Sequence, residues 1–148
     1  MVVSDLDANR CAQAAATYGA TVVAPEEIHT QQVDVFAPAA FGAVLNDETI
    51  PCLRCRVVCG GANNQLAEVR HDAALAVRGI VFVPDYLANA GGVIDFQQEA
   101  IDDQPAAVLA SVARIGAITR DVLRCAAATG ATPLSVADGI VRARIRRA

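Results

Sequence analysis

"MVVSDLD", residues 1–7, is an apolar run that ends in an acid, a loop residue and a second acid. "VVSD" reads as a β-strand with Asp5 at its carboxyl end, and Asp7 is placed to cap the helix that follows. That helix, "ANRCAQAAATYG", stops at Gly19. The same rhythm then repeats. "ATVVA" (20–24) is a second strand with a short helical turn after it, "PEEI". "VDVFAP" (33–38) is a third, ended by Pro38, and "NDETIPCL" (46–53) a short helix capped by Asn46 or Asp47. "RVVCGGA" (56–62) is a fourth strand, "NQLAEVRHDAALAVRG" (64–79) a helix stopped by Gly79, and "IVFVPD" (80–85) a fifth strand. Short β-branched runs alternating with Ala-rich helices make an α/β fold with a mostly parallel, doubly wound sheet. The strands carry few polar residues, which predicts burial on both faces.

After the fifth strand the rhythm changes. "YLANAGGVIDFQQEA" (86–100) reads as one helix with two interior glycines. Pro105 opens a long helix to about Ala128, Gly130 ends it, and Thr132-Pro133 or Ser135 starts a final one. No linker, repeat or low-complexity tract interrupts the chain. Residues 1–104 therefore carry the alternating pattern, and 105–148 form a helical extension of the same domain.

Composition narrows the function. The 148 residues suffice for one domain with a sizeable core. Hydrophobic residues make up 54%, but Ala supplies much of that, and no apolar run approaches the roughly 18 residues that span a bilayer. The amino terminus lacks a basic stretch followed by an apolar one, and the five cysteines are an odd number, so a reduced cytoplasmic setting is expected. A net charge of −4 gives no reason to expect nucleic acid, and the arginines of "VRARIRR" read as a solvated helix face. Cys52, Cys55 and Cys59 have no second pair, and His29 and His71 stand at no ligand spacing to them, so no metal is expected. All twelve basic residues are Arg. Without Lys, the chain offers neither a Schiff base nor a lysine general base.

In an open parallel sheet, ligands bind at the carboxyl ends of the strands. Four such ends stand out: Asp5, "APAAFG", "GGANNQ" and "PDYLANAGG". Asp5 has two readings. One is a carboxylate that accepts both hydroxyls of an adenosine ribose and disfavours a 2′-phosphate; the other is a solvated loop acid. "GGANNQL" (60–66) offers either close backbone approach to a ligand with amides at a helix start, or a loop with an Asn64 cap. Gly91 and Gly92 would cost about 1 kcal/mol each inside a helix, which points to something packed on that backbone, a neighbouring helix or a flat ring.

"VVSDLD", "VDVFAPAAFGAVLNDETIP", "GGANNQLAEVRH" and "IVFVPDYLANAGGVI", in this order and spacing, resemble the cofactor-binding half of the glutamate/leucine/phenylalanine/valine dehydrogenase family, nearest its leucine branch. The resemblance is strong to about residue 96 and continues more loosely through "VADGIVRARI". It implies oxidative deamination of a branched-chain or other apolar L-amino acid to a 2-oxo acid and ammonia, with NAD as cofactor. It also implies a Rossmann-like fold and homo-oligomeric assembly of the complete protein. Carried over by position, Asp5 and Leu6 would lie at the adenosine ribose, and Ala37 and Pro38 along the cofactor backbone. Ala62 and Asn63 would meet the nicotinamide ribose, and Asn89 the nicotinamide and the substrate. Val93 and Phe96 would line the substrate pocket. Phe96 is bulkier than the usual valine there, a change that shifts discrimination by about 1–3 kcal/mol.

Three departures bear on activity. The family's "PCALGG" reads "PAAFGA" (38–43) here, with Ala43 in place of a glycine, so that turn is expected to alter slightly. The family's catalytic lysines and catalytic aspartate belong to a substrate domain that precedes this region, so no catalytic residue is assigned in this chain. The first strand and its G-x-G-x-x-G loop are also absent. In the usual order 3-2-1-4-5-6 that strand is central, and without it the first two strands should separate from the last three, leaving two edges unpaired. A non-catalytic module on the same scaffold is the alternative reading.

Overall fold

The computed structural model of the chain describes residues 1–99 and 105–147. Its strands are β1 (Val2–Val3), β2 (Thr21–Val22), β3 (Val35–Phe36), β4 (Val57–Val58) and β5 (Val81–Phe82). All pairings are parallel. β1 pairs with β2, Val2 opposite Thr21, and β3, β4 and β5 form a second sheet with Val35, Val57 and Val81 in one row. The expected separation is therefore seen: among the described residues no strand joins β1 to β3.

The helices are α1 (Ala8–Tyr18), α2 (Arg70–Val77), α3 (Asp85–Ala88), α4 (Gly91–Glu99), α5 (Pro105–Thr129) and α6 (Pro133–Ile145). Where the caps are explicit, the sequence reading holds. Asp7 accepts the Asn9 amide at the start of α1, and Gly19 closes it with φ 62°. Thr132 caps α6 ahead of Pro133, and Gly130 turns the chain at φ 70°.

Two helices differ from expectation. α2 begins at Arg70, not at Asn64, because residues 64–67 run alongside 43–45 and are bridged to them at Leu45–Leu66. The bonds run Ala43 N–H to Asn64 O (2.7 Å), Leu45 N–H to Gln65 O (2.9 Å) and Ala67 N–H to Leu45 O (3.0 Å). A tertiary backbone ladder thus displaces a local helix preference. Asn64 takes φ 52°, a left-handed turn that Asn tolerates, and caps nothing. The single helix expected over 86–100 is instead α3 and α4, broken after Asn89; Ala100 lies outside the described residues. Gly91 and Gly92 are thereby the first residues of a helix, and a Cβ at either would meet nothing within 4 Å. Among the described residues, then, no close contact at these glycines matches the expectation that something packs on them. The boundary drawn at 104/105 also touches residues outside those described.

Burial on both strand faces is corrected too. β2 is exposed at both residues and so on both faces, while in the second sheet Val35 and Val81 face out and Val58 and Phe82 face the core. The core lies under the second sheet: Leu45, Ile50, Leu53, Val58, Leu75, Ile80 and Phe82. Arg78, at the end of α2, donates to the Pro51 carbonyl (2.6 Å) and the Leu53 carbonyl (2.8 Å), tying the turn at Ile50–Cys52 onto this core.

Candidate functional site

The carboxyl ends of β3, β4 and β5 come together. Pro38, just past β3, is buried against Gly60, just past β4. A Cβ on Gly60 would stand 2.1 Å from the Pro38 carbonyl oxygen, so only glycine fits. A Cβ on Gly42 would likewise stand 2.8 Å from Asn63 O. These glycines serve backbone-to-backbone packing of two loops. The Ala62 amide donates to Pro38 O (3.0 Å) and fastens the pair.

The third loop closes on the second through α3. Asn89, its carboxyl cap, donates its side-chain amide to Asn63 Oδ1 (2.6 Å) and to Gly61 O (3.3 Å). Among the described residues nothing takes up the Asn89 Oδ1 acceptor or the Asn63 Nδ2 donors. A carboxamide presents the complementary donor and acceptor. A Cβ at Gly61 would meet nothing within 4 Å, so that backbone is open to approach. Of the residues picked from sequence, Pro38, Ala62, Asn63 and Asn89 are thus assembled at one place, with Ala37 exposed beside Pro38. Ala62 is itself buried with its amide committed, so it shapes the loop from behind.

Asp5 and Leu6 stand apart, at the end of β1. Asp5 Oδ1 accepts the Asp7 amide (2.9 Å), and Arg10 Nη1 lies 3.9 Å from Oδ2. A carboxylate has about four acceptor positions, so room remains for two ribose hydroxyls. Leu6 is exposed. Val93 and Phe96, one turn apart on α4, are 71% and 74% exposed, so they present a surface and do not enclose a pocket among the described residues.

Sequence reasoning missed Gln65 and Asp85. Gln65 is fully buried, and its Nε2 donates to Gly60 O (2.8 Å) and Ala62 O (2.9 Å). Asp85 Oδ2 accepts the Gln65 amide (3.3 Å) while Oδ1 accepts the Tyr86 amide (2.9 Å). The signal was present, a polar residue directly after "GGANN" and an acid directly after the fifth strand, but each also fits a solvated turn.

Two other clusters do different work. Asp47, Glu68 and His71 approach one another closely. However, His71 Nδ1 accepts the Glu68 amide (3.0 Å), so its proton sits on Nε2 and faces Asp47 Oδ1 at 3.2 Å. Arg70 donates to both carboxylates and holds Asp47 down to about 2. The ring and both acids are already engaged in a latch between α2 and the 46–49 turn. Burial pushes the Cys55 and Cys59 thiols up, away from the thiolate form.

A parallel α/β sheet with amide side chains gathered at its strand ends belongs to the Rossmann class. The family of glutamate/leucine/phenylalanine/valine dehydrogenases matches residues 4–114, and the chain is a member of it. It is 46% identical over 101 residues to leucine dehydrogenase of Thermoactinomyces intermedius, covering 68% of this chain and 28% of that protein. It is 40% identical to phenylalanine dehydrogenase of the same organism, over 98% of this chain and 40% of that one. The crystal structure of L-tryptophan dehydrogenase from Nostoc punctiforme superposes with a TM-score of 0.94 at 37% identity, covering 99% of this chain and 44% of that one. The chain thus spans 28–40% of the length of these curated relatives. No helix among the described residues is long and apolar enough to cross a membrane.

Proposed function

We propose that this chain is the cofactor-binding portion of an NAD-dependent L-amino-acid dehydrogenase acting on a branched-chain or other apolar amino acid. The observation that carries this reading is the Asn63–Asn89 amide pair over the open Gly61 backbone, at the converging ends of β4 and β5. In this reading Asp5 and Leu6 hold the adenosine ribose, and Ala37 and Pro38 border the cofactor's backbone. Asn63 receives the nicotinamide ribose on the loop that the buried Ala62 shapes, and Asn89 orients the nicotinamide. Val93 and Phe96 give the substrate's side chain its apolar wall. Residues 1–104 do the binding, and the helical extension 105–148 supports them. NAD, when bound, supplies the hydride acceptor; the chain's own residues bind it, orient it and cover one face of the substrate. Acid–base groups for deamination come from outside this chain, which has no lysine. The complete protein is a cytoplasmic homo-oligomer in this reading.

Titration of the isotopically labelled chain with NAD tests it. The expected result is movement of two separate groups of resonances, one at Asp5–Leu6 and one at Gly61–Asn63 and Asn89. Movement of neither group, at millimolar NAD, overturns the proposal.

A further inference from the structure

We infer that Gln65, backed by Asp85, is a positioning residue that sets the Asn63–Asn89 pair in place. The inference rests on the reading of that pair as the nicotinamide end of the site. Gln65 touches neither asparagine side chain. It acts on the backbone beneath them: one buried Nε2 clamps the carbonyls of Gly60 and Ala62, on either side of Gly61, whose own carbonyl Asn89 engages. Asp85 accepts the main-chain N–H of Gln65 and, at the first residue of α3, fixes the helix whose last turn delivers Asn89. The two strand-end loops therefore share one buried brace, and the separation of Asn63 from Asn89 depends on it.

The orientation of Gln65 is unambiguous. Both of its hydrogen-bond partners are carbonyl oxygens, so the nitrogen faces them, and among the described residues Oε1 has no partner. An apolar chain of the same length would leave the Gly60 and Ala62 carbonyls without their donor. The two clamped carbonyls account for the amide, and both belong to the loop that carries Asn63.

Gln65→Met keeps the length and removes the clamp. In the full chain it is expected to release the Asn89 side-chain amide protons into fast exchange and to shift the Asn63 and Asn89 resonances. The core amides of Leu75 and Ile80 should stay protected. Asp85→Ala, which removes only the outer support, should do the same to a smaller degree, and it covers the case in which Gln65→Met does not fold. Nicotinamide mononucleotide, which carries no adenosine, should bind either variant about tenfold more weakly, the equivalent of one lost hydrogen bond. Loss of core protection with the Asn89 amide unchanged in the folded fraction would overturn the inference. So would unchanged Asn63 and Asn89 resonances in both variants. If the mononucleotide leaves the wild-type loop unmoved while both variants free Asn89, the brace stands and the nicotinamide reading fails.

Discussion

Ala43 holds φ 57°, a left-handed conformation in which its Cβ is strained. The amide at this position donates to Asn64 O, so the loop ladder keeps the turn in place although the glycine is gone. Ala43→Gly should therefore stabilise the chain by about 1 kcal/mol, read from chemical denaturation. Gly60→Ala is the opposite case. Its new methyl would overlap the Pro38 carbonyl, and the expected loss is about 3 kcal/mol or more. A neutral Gly60→Ala would mean that the two loops are not packed as described. At this scale the sequence was partly legible. Asp5, Asn63 and Asn89 stood out because polar residues after apolar strands are unusual. Gln65 did not, because its partners are carbonyls of its own loop and no pattern of residue types marks them.

At the scale of elements, α6 is pinned by two polar contacts. The Thr132 hydroxyl donates to Asp72 on α2, and the Tyr86 hydroxyl donates to Asp138 on α6 at 2.7 Å. Burial raises the Asp72 carboxyl above its ordinary value, and the neighbouring Asp138 adds to this. The folded chain then holds that proton more tightly than the unfolded chain. Stability falls as pH rises from about 4 through the raised value. Asp72→Asn keeps an acceptor for Thr132 and removes the charge. It should match or exceed wild-type stability at pH 7 and flatten the dependence above pH 4 in a pH series of thermal melts. The strands make a second expectation. β4 lies between two partners and ends on the buried Val58, whereas β1 and β2 form an isolated, largely exposed pair. Amides of β1 and β2 should exchange well before those of β4, and equal protection would contradict the two-sheet arrangement. The strands were legible from their valine runs and α1 and α6 from their caps. The bridged stretch 64–67 was not, since its partner at Leu45 lies some twenty residues earlier and only the fold brings the two together.

For the molecule as a whole, large apolar side chains lie open along the helical end: Val93, Phe96, Leu109 and Ile145. Large apolar side chains in contact with water favour association. Phe96→Ser should lower the binding of an apolar fluorescent dye such as anilinonaphthalene sulfonate and reduce concentration-dependent light scattering, with the fold intact by circular dichroism. If dye binding is unchanged, the exposed surface lies elsewhere. Periodicity could not show this exposure, because an Ala-rich helix reads the same whether its apolar face is covered or bare.

The core residues run from Leu45 to Phe82 without leaving that stretch of chain, and Arg78 closes it by bonding back to Pro51 and Leu53. Contacts so close in sequence condense quickly. During synthesis this segment can settle before the long helices have emerged, so the loops bearing Asn63 and Asn89 acquire their frame early. The β1–β2 pair and its Asp5 corner bury Cys11 and Ala20 but have no apolar cluster of comparable size to hold them.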